Sequence, residues 1–140
     1  MSALTRYFFD TVYFPRSALA VVRWWEARRP AYNAAVGAAG LVTLAGVALL
    51  GALPPLGVVA TIAVVYGLLA NVCYSFGPLA ELAARRWGGS AFAPVGPTLL
   101  RYGFVFSIGL TLFPLGIAVL WWIVRFAALL FGAGESSVAY

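Results

Sequence analysis

The chain has no histidine, no lysine and a single cysteine, Cys73. Without histidine, the usual ligand for haem, zinc and copper and the commonest general base are both missing. One cysteine rules out a disulfide within this sequence. Charge is scarce too. Only 9% of the 140 residues are charged, against roughly 25% in a soluble domain. No charge occurs between Pro30 and Ala80, a run too long for one membrane crossing of about 20 residues but suited to two crossings and a turn. Too few polar residues remain to form a shell around a soluble core this apolar. The solvent of this chain is therefore lipid.

What charge there is comes from nine arginines, which give a net +5. Arginine marks the cytoplasmic side of membrane proteins, so the excess reads as topology and headgroup contact rather than nucleic-acid binding. No apolar run followed by a small-residue cleavage site opens the chain, so Met1 is expected to remain in the mature protein.

Residues 1–33 mix arginine with aromatic rings, a composition that suits the headgroup layer. Ser17 is placed to cap a helix running to about Arg29, which Pro30 would stop. Trp24, Trp25, Val21 and Val22 fall on one side of that helix, while Arg16, Arg23 and Glu26 fall on the other. The pattern predicts an amphipathic helix lying on the membrane, with Arg16, Arg23, Trp24, Trp25, Arg28, Arg29 and Arg101 among lipid headgroups.

Four apolar stretches follow. The first, about Ala34 to Leu53, is rich in glycine and alanine, which let helices approach closely in lipid. Pro54-Pro55 is expected to end it. The second runs from Leu56 to about Phe76. Residues 77–97 read as a loop, with Leu79–Trp87 as a short helix inside it and Glu81 and Arg85 spaced as an ion pair. The third stretch, about Thr98 to Phe113, and the fourth, Leu115 to about Phe131, meet at Pro114. One helix across both would be about 51 Å long, so a hairpin at Phe113–Gly116 is preferred. The tail, 133–140, is polar.

The resulting expectation is an all-α polytopic bundle: four transmembrane helices in two hairpins, 34–76 and 98–132, behind an interfacial segment, 1–33. Arginine placement would then put both termini and the middle loop in the cytoplasm. The segments starting at Gly40 and Gly103 also look alike, matching at Gly40/Gly103, Val42/Val105, Gly46/Gly109 and Leu49/Leu112. Each leads to Pro-Leu-Gly, so a parallel internal repeat is a further expectation.

Few residues could carry chemistry. Asn71, Tyr74 and Ser75 share one helix face, either as interhelical glue or as part of a pathway. Arg125 is a charge inside a span and needs a partner or the interface; Glu81, with Arg85 nearby, and lipid phosphate are the candidate partners. No carboxylate pair lies within a span, and the sequence carries no metal-ligand cluster, phosphate-binding Gly loop or nucleophile–base set. The residues thus point to no enzyme and no cofactor.

Trp24–Asn33 (W-W-E-x-R-R-x-x-Y-N), Ala70–Tyr74 (A-N-V-C-Y) and Phe106–Pro114 (F-S-x-G-L-T-L-x-P) resemble a group of small bacterial inner-membrane proteins without an assigned activity. The resemblance covers most of residues 24–114. It implies a multi-pass, four-span protein of the bacterial inner membrane and no particular chemistry. The function expected from these readings is packing in the membrane, as an accessory or assembly subunit or a homo-oligomer, with lipid and other membrane subunits or itself as partners. The alternative is a minimal oligomeric transporter or channel using Asn71, Tyr74 and Arg125.

Overall fold

A computed structural model describes Arg6, residues 17–89 and residues 95–132. The helices within the described stretches from residue 17 onward are α1 (Ala18–Glu26), α2 (Arg29–Leu49), α3 (Leu56–Gly88) and α4 (Gly96–Leu130). Three stretches are long and apolar enough to cross a membrane: Ala18–Leu49, Leu56–Gly88 and Gly96–Leu130. Arg16, the Ser90 and Pro94 part of the middle loop, and the tail lie outside the described residues.

Glycine, not proline, marks where the three long helices stop. Gly51 adopts φ +68°, a conformation that a residue without Cβ reaches at no steric cost. Its amide donates to the Ala48 carbonyl at 3.0 Å, and the Ala52 amide donates to the Val47 carbonyl at 3.0 Å. Together these form the Schellman closure that satisfies the last carbonyls of α2. Pro55 then enters α3 in an extended conformation. Gly89, φ +74°, follows the end of α3 in the same backbone region.

This corrects the expected second hairpin. In the alignment of Gly40 with Gly103, the position of Gly51 is held by Pro114. Proline is fixed near φ −65° and cannot form the left-handed closure. α4 therefore runs through Pro114 as one 35-residue helix, about 52 Å long. A proline within a membrane helix is tolerated because neighbouring helices and local adjustments answer the freed carbonyl. The length is accommodated because residues 102–124 alone carry no charge, a run of about 34 Å against a hydrocarbon layer of about 30 Å. Three long helices stand where four were expected. The two halves of the proposed repeat differ in structure, a turn in one and a continuous helix in the other.

Two other boundaries move. Pro30 sits in the first turn of α2, where a missing amide hydrogen is harmless, so it starts a helix instead of stopping one. α3 continues through Pro78 to Gly88, so residues 77–88 are helix and not loop. Ser17 caps α1 as expected, its hydroxyl accepting from the Ala20 amide at 3.2 Å.

α2 and α4 run parallel and make the closest pair, with α3 antiparallel to both. Small residues allow the approach: Gly40 faces the Thr111 methyl, and Gly46 lies directly against Leu115. α1 packs chiefly on α3. Its apolar face, Val21, Trp24 and Trp25, is buried in the protein, not turned to lipid as an interfacial helix would have it. Val21, Trp24, Trp25, Tyr32, Val36, Tyr74 and Leu100 form the core. That core lies at the end of the bundle holding Arg28, Arg29, Arg85 and Arg86, here called the arginine end. The opposite, turn end holds Leu50–Pro55. α1 and the Leu130 end of α4 lie at opposite ends of the bundle, whereas a four-span chain would bring them to the same end.

Candidate functional site

The polar side chains collect in two places. The first is a junction of all four helices at the arginine end. Trp25 is its centre, only 2% exposed. Its Nε1 donates to Glu81 Oε2 at 2.7 Å, and its carbonyl accepts from the Tyr74 hydroxyl at 2.6 Å. Trp24 and Tyr74 meet the Trp25 ring edge-on, at 5.5 and 5.4 Å between centroids. Gly77 lies flat beneath the indole, where a Cβ would overlap its six-membered ring.

Glu81 is 4% exposed and its carboxylate packs against Gly96, the first residue of α4. A carboxylate there meets the positive end of the helix dipole and its unpaired amides. Glu81 thus joins α1, α3 and the start of α4. It is not the partner of Arg125, which lies 29 residues beyond Gly96 (125 − 96), roughly 43 Å away along α4. The buried Nη1 of Arg85, one helical turn beyond Glu81, has no hydrogen-bond partner. Among the described residues, Glu26 and Arg29 form an ion pair at this junction, with bonds of 2.7 and 2.8 Å.

Arg29 also reaches α3. Its guanidinium donates to Ser75 Oγ at 3.2 Å and to Asn71 Oδ1 at 3.5 Å, and lies 4.9 Å from the Tyr74 ring centre. Asn33 Nδ2 donates to the same Asn71 oxygen at 3.2 Å, while Asn71 Nδ2 donates to the Gly67 carbonyl at 3.0 Å. The expected trio of Asn71, Tyr74 and Ser75 therefore does come together, and each member is bonded to α1 or α2. The expected headgroup set divides. Arg23 and Arg101 are exposed, whereas Trp24, Trp25 and Arg28 are buried. The Arg28 guanidinium stacks 3.8 Å over the Trp24 ring and donates to the Trp24 carbonyl at 2.9 Å.

The second place, mid-bundle, was not foreseen. Tyr32 and Ser107 share a hydrogen bond at 2.8 Å. Tyr66 and Thr111 share one at 2.6 Å, and Thr43 donates to the Thr111 carbonyl at 2.8 Å. The signal available in the sequence was Tyr66 itself, a phenol in mid-span where tyrosine normally sits at the membrane boundary. Ser107 and Thr111, spaced (i, i+4) on one helix, supply its complement.

Between this hydroxyl cluster and the turn end lies a cleft of about 520 Å³, lined mainly by apolar side chains from α2, α3 and α4. Trp121 and Pro54 border it near the turn; Tyr66, Thr43 and Thr111 close it at mid-bundle.

No family model, curated protein or solved structure matches this chain. The class that the fold and its polar junction define is an all-helical membrane protein with three long apolar helices.

Proposed function

We propose that this chain is a non-enzymatic, three-crossing membrane protein that acts by helix packing, as an accessory or assembly subunit of a larger membrane complex or as a homo-oligomer. One observation carries this reading: the turn-end half of α3 is left bare. Leu56, Ile62, Val64 and Leu68 are each more than half exposed, and a Cβ at Gly57 or Gly67 would meet nothing within 4 Å. Small residues open to the outside are where a second helix can approach closely in lipid.

The transport reading has less support. A pathway needs polar groups free to meet a substrate, and Asn71, Tyr74 and Ser75 are taken up by bonds among α1, α2 and α3. Arg125 lies at the other end of the bundle from them.

The chain sits in the bacterial inner membrane with its arginine end in the cytoplasm. α1 docks at that face, with Arg23 and Arg101 reaching lipid phosphate. Three crossings then bring the Leu130 end of α4 to the opposite face, with Arg125 snorkelling there and Trp121 and Trp122 in the boundary layer.

Native mass spectrometry of the particle in lipid nanodiscs tests this proposal. Co-purifying polypeptides at fixed stoichiometry, or a homo-oligomer, is the expected result. A lone monomer that carries solute across proteoliposomes would refute it.

A further inference from the structure

We propose that the cleft between α2, α3 and α4 binds a neutral apolar molecule carrying a hydroxyl hydrogen-bond donor, drawn from the bilayer. The three hydroxyl hydrogens at its mid-bundle wall are already used. Thr43 donates its hydroxyl hydrogen to the Thr111 carbonyl. Thr111 and Tyr66 share two acceptors, the Ser107 carbonyl and each other's oxygen, at 2.7, 3.1 and 2.6 Å. Whichever way their shared bond runs, both hydrogens are used.

Oxygen lone pairs remain on the mid-bundle wall. The cleft is thus apolar along its length and closed at mid-bundle by a hydroxyl wall whose own hydrogens are used, with the Trp121 indole at the opposite, turn end. At that wall a hydroxyl on an apolar body finds an acceptor, whereas a ketone, ester or ether oxygen finds no donor.

Size narrows the class further. A 150 Å³ protein cavity holds benzene, so 520 Å³ holds a body of about 20 non-hydrogen atoms. That fits an alkylphenol or a long-chain alcohol, and is smaller than a whole phospholipid. The inference stands apart from the packing role, since a monomer or a subunit would have the same cleft.

Three probes of matched size separate the chemistries: 4-dodecylphenol, which donates; 4-dodecylanisole, which only accepts; and dodecylbenzene, which does neither. Binding of each in tritiated form is measured on the full chain in nanodiscs, with empty nanodiscs as the partition control. The expected result is saturable binding of the phenol, about tenfold tighter than either other probe, as one hydrogen bond formed in an apolar site gives. Ala63→Phe, which fills the cleft and leaves the hydroxyl cluster intact, abolishes saturable binding of all three. Tyr66→Phe brings the phenol toward the affinity of dodecylbenzene. Equal affinity for the three probes in the unaltered protein would make the cleft a groove for any acyl chain and overturn the proposal. Absence of saturable phenol binding would overturn it as well.

Discussion

Gly77→Ala is the smallest change that should loosen the arginine-end junction. The added methyl would overlap the Trp25 six-membered ring, which has little room to retreat. Trp24 and Tyr74 close on it edge-on, and the Trp25 Nε1–Glu81 bond fixes its far side at 2.7 Å. Restoring ordinary carbon contact requires a shift of roughly 1 Å. A shift of that size takes the indole out of hydrogen-bond range of Glu81. Overpacking costs about 1–3 kcal/mol, and a bond to a charged acceptor is worth roughly 1.5–3 kcal/mol. The two losses overlap because one movement causes both. Alanine returns up to about 1 kcal/mol through its better helix propensity. The net expectation is a loss of about 2 kcal/mol, read as a lower unfolding midpoint in mixed micelles or nanodiscs. The same change in a Trp25→Leu background meets no ring and should be neutral or slightly stabilising, because only the propensity gain remains. Equal destabilisation in both backgrounds would refute the reasoning, and so would a stabilised single variant.

Three further outcomes follow from the same contacts. Glu81→Gln keeps an acceptor for Trp25 but loses the charge at the start of α4, lowering stability by about 1 kcal/mol; Glu81→Leu strands the indole N–H and should lower it by roughly 2–3 kcal/mol, both read from thermal unfolding in nanodiscs. Asn71→Leu removes the acceptor shared by Asn33 and Arg29, and should reduce stability by about 0.6–2 kcal/mol; a loss of function with stability unchanged would instead favour a pathway role. Pro114→Ala should leave the sidedness of α4 unchanged in accessibility labelling, because α4 is already one helix, whereas a hairpin at that point would be remodelled.

The apolar runs made the three long helices legible, because hydrocarbon demands internally satisfied backbone and helices supply it. The Ser17 cap and the shared face of Asn71, Tyr74 and Ser75 were legible for the same kind of reason, local spacing on a helix. The count of spans was not. It depended on reading proline as a stop, while the stop that acts at residue 51 is a left-handed glycine with two closing hydrogen bonds. The site of the tryptophans was not legible either. Aromatic rings among arginines read equally as a headgroup layer or as a core, and Gly77, far along the chain, is what makes room for Trp25 inside the protein. Glu81 read as the partner of Arg85 because the (i, i+4) spacing is visible in the sequence, whereas its contacts with the Trp25 indole and the start of α4 join residues far apart in the chain. Tyr66 went unread because its complement lies on α4, more than 40 residues on.

The sidedness of the bundle tests the three-crossing account most directly. With Cys73 replaced by alanine, Arg86→Cys and Phe131→Cys each place one thiol at an exposed position, at the arginine end and just beyond α4. A membrane-impermeant maleimide on sealed native vesicles should label the two variants from opposite sides. Labelling of both from the same side would restore an even number of crossings and contradict the account.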